Sequence, residues 1–129
     1  MSTSSEKSPD IEIYVQDTTL TEITEWLDNV FDTLAQTKSQ KNQSYYQASW
    51  QNISMTILVF KHVIKGYTSI WIDSPNSPWK NDIECARDAQ IAFKTDVRCI
   101  QGSWEDSEDP DLWWFINNEG EGSLIWKTD

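Results

Sequence analysis

The sequence predicts an α+β fold in which two helices pack on an antiparallel or mixed sheet. Three observations predict this fold class: two amphipathic segments with helical periodicity, several short apolar stretches, and the order in which these segments follow one another. That order is strand, helix, two or three strands, helix, strand and hairpin. Its first part has the β-α-β-β-α-β order of a ferredoxin-like unit, to which a C-terminal β-hairpin is added. The 129 residues are enough for one domain with its own core.

The N-terminal part gives a tail, a strand and a helix. Residues 1–9 are small and polar, which predicts a disordered tail before a single domain over 10–129. Residues 11–16 alternate between apolar and polar, as in a half-buried strand. Thr19 and Glu22 have the spacing of a capping box, which predicts a helix start. The apolar stripe of that helix consists of Leu20, Ile23, Trp26, Leu27, Val30, Phe31 and Leu34.

The middle of the chain supplies the central strands. Residues 36–44 are polar and lack apolar periodicity, which predicts a mobile loop, and residues 45–50 suggest a short strand. Residues 53–64 are apolar on both faces, as in a central strand covered on both sides. A turn at Gly66 follows, so this strand and the next are expected to pair antiparallel.

The second half begins with that next strand, residues 67–72, which ends at a loop that starts with Asp73 and contains two prolines. Asn81 or Asp82 can cap the helix that follows. Residues 97–100 predict a further strand, and an acidic loop leads from there to the terminal hairpin. The apolar face of the second helix consists of Cys85, Ala86, Ala89, Ala92 and Phe93. We expect one contiguous core containing Trp26, Leu27, Phe31, Leu58, Phe60, Trp71, Ala89 and Phe93.

The charge of the chain restricts its partners. Ten Lys and Arg stand against 21 Asp and Glu, for a formal net charge of −11. Such a field repels nucleic acids and anionic membranes and attracts cationic partners. No apolar run reaches membrane-spanning length, and the N-terminus lacks an export signal, so a cytoplasmic location is expected.

Residues for catalysis are mostly missing from the sequence. The single histidine, His62, lies in the most apolar strand, and no Gly-rich phosphate loop or metalloprotease motif occurs. Cys85 and Cys99 are expected to be small buried hydrophobes. Together with one histidine they leave a tetrahedral zinc shell incomplete. We therefore expect no catalytic residue, no metal and no cofactor.

Two acidic features stand out instead. The first helix carries its acidic residues on the side opposite the apolar stripe, with no Lys or Arg among residues 19–34. A second cluster follows residue 104, but it lacks the spacing and mid-loop glycine of an EF-hand. Trp79 and Trp104 flank loops, so we expect exposed aromatic anchors there. The candidate partner-binding residues are Glu22, Glu25, Asp28, Asp32, Trp79, Trp104, Glu105, Asp106, Glu108, Asp109 and Asp111.

Three classes of function remain. The first is a small acidic cytoplasmic protein that neutralises or regulates a basic protein partner, as immunity proteins and antitoxins do. The second is a small hydrolase, carboxylate-based or metal-dependent, that uses residues 105–111. The third is a ligand-sensing or assembly module, suggested by fold analogy alone. Acidity, small size and the lack of catalytic groups favour the first class.

Overall fold

The computed structural model describes residues 8–100 and 111–127 as one eight-stranded antiparallel sheet with two helices. The strands are arranged in the order β2-β3-β4-β5-β1-β6-β7-β8. None of the helices in these ranges is long and apolar enough to cross a membrane. The elements are β1 (Ile11–Gln16), α1 (Leu20–Val30), β2 (Thr33–Gln40), β3 (Gln43–Trp50), β4 (Ile53–Ile64), β5 (Tyr67–Asp73), α2 (Asp82–Phe93), β6 (Val97–Ile100), β7 (Leu112–Asn117) and β8 (Gly120–Ile125).

The α+β class is confirmed, but the ferredoxin-like order is wrong. Four strands separate the two helices, where a ferredoxin-like unit has two. Strand β1 lies between β5 and β6 and pairs antiparallel with both, so α2 connects two parallel strands across it. The terminal hairpin β7–β8 extends the sheet at β6.

The error in strand order comes from residues 36–44, which form no loop. They belong to the hairpin of β2 and β3, which turns at Lys41 and Asn42. Nearly every side chain of β2 is exposed, so the strand has no apolar alternation to indicate it. Its main-chain pairing with β3 stabilises it at the sheet edge.

Most other elements agree with the sequence prediction. The capping box of Thr19 and Glu22 begins α1, and the Asn81 side chain caps α2 by accepting a hydrogen bond from the Glu84 amide. Strands β4 and β5 pair antiparallel as expected. Helix α1 ends earlier than its apolar stripe, because Phe31 adopts an extended conformation after the helix.

Both helices pack on the same face of the sheet, and the core lies between the helices and this face. Of the expected core residues, Trp26, Leu27, Phe31 and Ala89 are buried in it. The side chains of β4 alternate between a buried and a half-buried face, so this strand is fully covered on only one side. The remaining expected core residues are half-buried: Phe93 at the end of α2, and Leu58, Phe60 and Trp71 on the sheet face opposite the helices.

Candidate partner-binding site

The acidic face of α1 is formed by Glu22, Glu25 and Asp28, all of which are exposed. Ile23, Trp26 and Leu27 on the opposite side are buried. The helical periodicity of the sequence thus places the acidic side chains on one face of α1 and the core side chains on the other. The three ion pairs of the described residues involve Arg87, Arg98 and Lys127, none of which pairs with α1. The predicted segregation of acidic side chains on this helix is confirmed.

Glu22 also holds the start of the helix. Its carboxylate accepts hydrogen bonds from the Thr19 amide at 3.0 Å and from the Thr18 and Thr19 hydroxyls, each at 3.2 Å. The hydrogen bond from the Thr19 backbone is the main reason that the pKa of Glu22 is lowered. Glu22 is therefore negatively charged at neutral pH, although its side chain is committed to the cap.

Asp32 lies beyond the end of α1 and links two parts of the chain. Its carboxylate accepts a hydrogen bond from the Gln51 amide at 2.8 Å, in the turn between β3 and β4. Its own amide donates to the Ser49 carbonyl, also at 2.8 Å. Asp32 thus adds negative charge near the helix and at the same time stabilises the connection from α1 to β2.

A cleft of about 230 Å³ lies between the two helices beside this acidic face. Glu22, Glu25, Trp26 and Asn29 line it from α1, and Ala92 and Phe93 line it from α2. The Phe93 ring packs against Trp26 with centroids 5.3 Å apart. The cleft therefore combines two carboxylates with two aromatic rings.

The expectation that Trp79 is an exposed anchor is wrong. Only 6% of the residue is accessible. Its ring stacks on Trp26 at 5.3 Å and meets Phe31 edge-on at 5.9 Å. The indole N–H donates to the Asp88 carboxylate at 3.1 Å. The loop before α2 folds this side chain beneath both helices, because burying the indole removes a large apolar area from water.

The second acidic cluster is described only at its end. Trp104, Glu105, Asp106, Glu108 and Asp109 lie outside the described residues. The Asp111 carboxylate accepts a hydrogen bond from Lys127 at 3.4 Å.

Asp111 precedes β7, whereas α1 is anchored above β3 by the 2.7 Å hydrogen bond between Thr24 and Tyr46. Helix α2 contacts β1, β6 and β7 between them, so the structure does not bring Asp111 to the acidic face of α1.

The sheet face opposite the helices carries an aromatic cluster that the sequence prediction missed. Trp126 lies against Tyr67 and Trp113, with centroids 4.7 and 4.9 Å apart. The Arg98 guanidinium lies 4.4 Å from the Trp126 ring centre and forms an ion pair with Asp96 at 2.7 Å. This positive charge is thus neutralised within the cluster. The alternation of Tyr67, Ser69 and Trp71 in β5 was the available signal for this face.

Asp82, in the first turn of α2, is a carboxylate that is largely removed from solvent and lies near two other carboxylates. The pKa of Asp82 is raised to about 7, mainly by burial. A backbone hydrogen bond from Glu12 lowers this pKa, and the nearby carboxylates of Asp10 and Glu12 contribute to the rise. Asp10 accepts a hydrogen bond from the Trp71 indole at 2.7 Å, and Glu12 accepts one from Tyr14 at 3.2 Å. Sequence spacing alone gave no sign of this grouping.

The cysteines and the histidine, which could act as nucleophiles or metal ligands, lie apart from any catalytic or metal-binding grouping of the described residues. Cys85 and Cys99 are buried and unbridged, and burial raises the pKa of Cys99 to about 12. His62 is exposed near the turn from β4 to β5. Residues 8–100 and 111–127 contain no group of three His, Cys, Asp or Glu placed to hold a metal ion. No family model, no curated protein and no solved structure matches the chain.

Proposed function

We propose that this chain is a small acidic cytoplasmic binding protein that neutralises or regulates a basic protein partner, in the manner of an immunity protein or antitoxin. The observation that carries the proposal is the outer face of α1, where Glu22, Glu25 and Asp28 are exposed and no basic residue occurs from Leu20 to Val30. None of the ion pairs among the described residues neutralises it.

Uncompensated charge of this kind costs stability in an isolated helix. Like charges three or four residues apart repel one another, whereas interleaved lysines would add roughly 0.2–0.5 kcal/mol per pair. A basic partner offsets this repulsion on binding. The net charge of −11 also accelerates encounter with a cationic surface, because long-range attraction steers diffusing partners.

Two alternative classes remain, a hydrolase and a ligand-sensing module. The hydrolase depends on the carboxylates at 105–111, of which only Asp111 is described, and that residue is ion-paired with Lys127. A ligand-sensing module needs a pocket of roughly 300–1,000 Å³. The cleft between the helices has about 230 Å³, which suits a single side chain better than a metabolite.

Charge reversal on α1 tests the proposal. We expect the immobilised protein to capture a strongly basic protein from lysate of its source at low salt. The Glu25→Lys/Asp28→Lys variant should bind the purified captured protein about tenfold more slowly, with a smaller salt dependence and nearly the same dissociation rate, because steering acts mainly on association. Surface plasmon resonance at several salt concentrations measures both rates.

The matched control is Asp73→Lys/Glu119→Lys, which changes net charge equally at two exposed positions outside α1. The control should retain at least half of the wild-type association rate. Adding the wild-type protein at equal concentration should also inhibit the activity of the captured protein. Equal slowing by both double variants, or capture of no basic protein at all, would refute the proposal.

A further inference from the structure

The cleft between α1 and α2 has the chemistry of a receptor for one cationic side chain. Glu22 and Glu25 supply negative charge at its α1 side, and Phe93 supplies a half-buried aromatic ring from α2. Carboxylates and aromatic faces both attract cations, and the two effects reinforce each other where water is partly excluded. This combination is more specific than the open acidic face, which presents charge without a recess.

The basic residues among 8–100 and 111–127 do not line this cleft. Lys94 follows Phe93 directly and caps α2 in a left-handed conformation, yet it forms none of the ion pairs found in the described ranges. The first helix has no Lys or Arg of its own. The carboxylates of Glu22 and Glu25 therefore have no cationic partner within residues 8–100 and 111–127.

Trp26 adds an independent sign that the cleft is incomplete. It is 93% buried and lines the cleft. The indoles of Trp71 and Trp79 donate hydrogen bonds to Asp10 and Asp88, at 2.7 and 3.1 Å. The Trp26 indole, in contrast, packs against the rings of Trp79 and Phe93, and its N–H has no hydrogen-bond acceptor among the described residues. A buried indole N–H usually finds an acceptor, and the backbone of a bound peptide offers carbonyl oxygens.

We propose that this cleft binds an arginine side chain of a basic protein partner, with the guanidinium between the Glu25 carboxylate and the Phe93 ring. The inference rests on the proposed function, since it names the group through which the partner docks beside α1. Arginine fits better than lysine, because its planar guanidinium stacks on aromatic rings, carries weaker hydration and donates to carboxylates in a fixed geometry.

A peptide probe tests the cleft without the partner. The probe is acetyl-Gly-Arg-Gly-amide, and its uncharged match carries citrulline in place of arginine. We expect the arginine peptide to shift the NMR signals of the Trp26 indole N–H and of the Ala92 and Phe93 backbone amides, with saturation in the millimolar range. The citrulline peptide should shift them at least fivefold less at equal concentration. Glu25→Gln should weaken binding about fivefold, and Phe93→Leu about threefold.

Asp73→Asn is the matched control, since it removes one exposed carboxylate from the end of β5, where the strand pairs with β4. Its affinity for the arginine peptide should equal that of the wild type. The spectrum of each variant recorded without peptide shows whether the variant is folded. Equal binding of both peptides, or unchanged affinity in Glu25→Gln, would overturn the arginine site. That failure is separate from failure of the proposed function, because capture of a basic protein by the α1 face can persist without any response to the probe.

Discussion

Replacing Trp79 by alanine is expected to lower the free energy of unfolding by about 3–5 kcal/mol, as is usual for a large side chain removed from a core. The residue is 6% exposed and joins Trp26 and Phe31 in one aromatic cluster beneath the helices. Removing it leaves a cavity and also leaves the Asp88 carboxylate without the indole donor. Urea unfolding followed by circular dichroism measures the change.

Two further variants separate the contributions to this loss. Trp79→Phe keeps an aromatic ring in the cluster but removes the hydrogen bond to Asp88, so it should recover about half of the stability. Ile91→Ala on the outer side of α2 serves as the control, because Ile91 is 70% exposed and should change stability by less than about 0.5 kcal/mol. A loss below about 1 kcal/mol in Trp79→Ala would contradict the packing, and would fit a tryptophan that stands free on the surface.

The burial of Trp79 could not be predicted from the sequence. This residue lies in a loop between Pro78 and the cap of α2, where no period assigns a side chain to a face. Its burial depends on Trp26, which is 53 residues earlier in the chain. In contrast, the buried and exposed sides of α1 follow from one local period, so the sequence alone predicted them correctly.

The same distinction applies to the sheet. Strands β1, β4 and β5 have apolar positions that identify them in the sequence. Strand β2 consists of exposed polar residues, and its structure depends on main-chain hydrogen bonds to β3 that leave no trace in residue type. Missing this hairpin changed the strand count between the helices and so produced the wrong topology.

The candidate site divides in the same way. The acidic positions of α1 could be predicted, because they depend on the helix alone. The cleft could not, because Ala92 and Phe93 reach it from a helix some 60 residues further along the chain. Asp82 is a comparable case, since its environment is created by Asp10 and Glu12 of the first strand region.

Asp82 leads to the second large effect, a stability that decreases as pH rises from about 4 to 7. Its pKa is about 7 in the folded protein, whereas the ordinary value is 3.8. Between these values the folded state retains a proton that the unfolded chain has released, so the free energy of unfolding falls with increasing pH. The whole shift corresponds to at most about 4 kcal/mol, since one pKa unit is equivalent to about 1.4 kcal/mol.

Asp82→Asn isolates this contribution, because asparagine has the same shape, stays uncharged and keeps an oxygen to accept the hydrogen bond from the Glu12 backbone. Near pH 4 the variant should match the wild type, and at pH 8.5 it should be more stable by about 2–3 kcal/mol. Asp73→Asn, at an exposed position of β5, removes the same charge and serves as the control for net charge. Urea unfolding of all three proteins from pH 4 to 8.5 gives the differences. Parallel profiles for Asp82→Asn and the wild type would mean that Asp82 ionises in the folded protein as readily as in the unfolded chain.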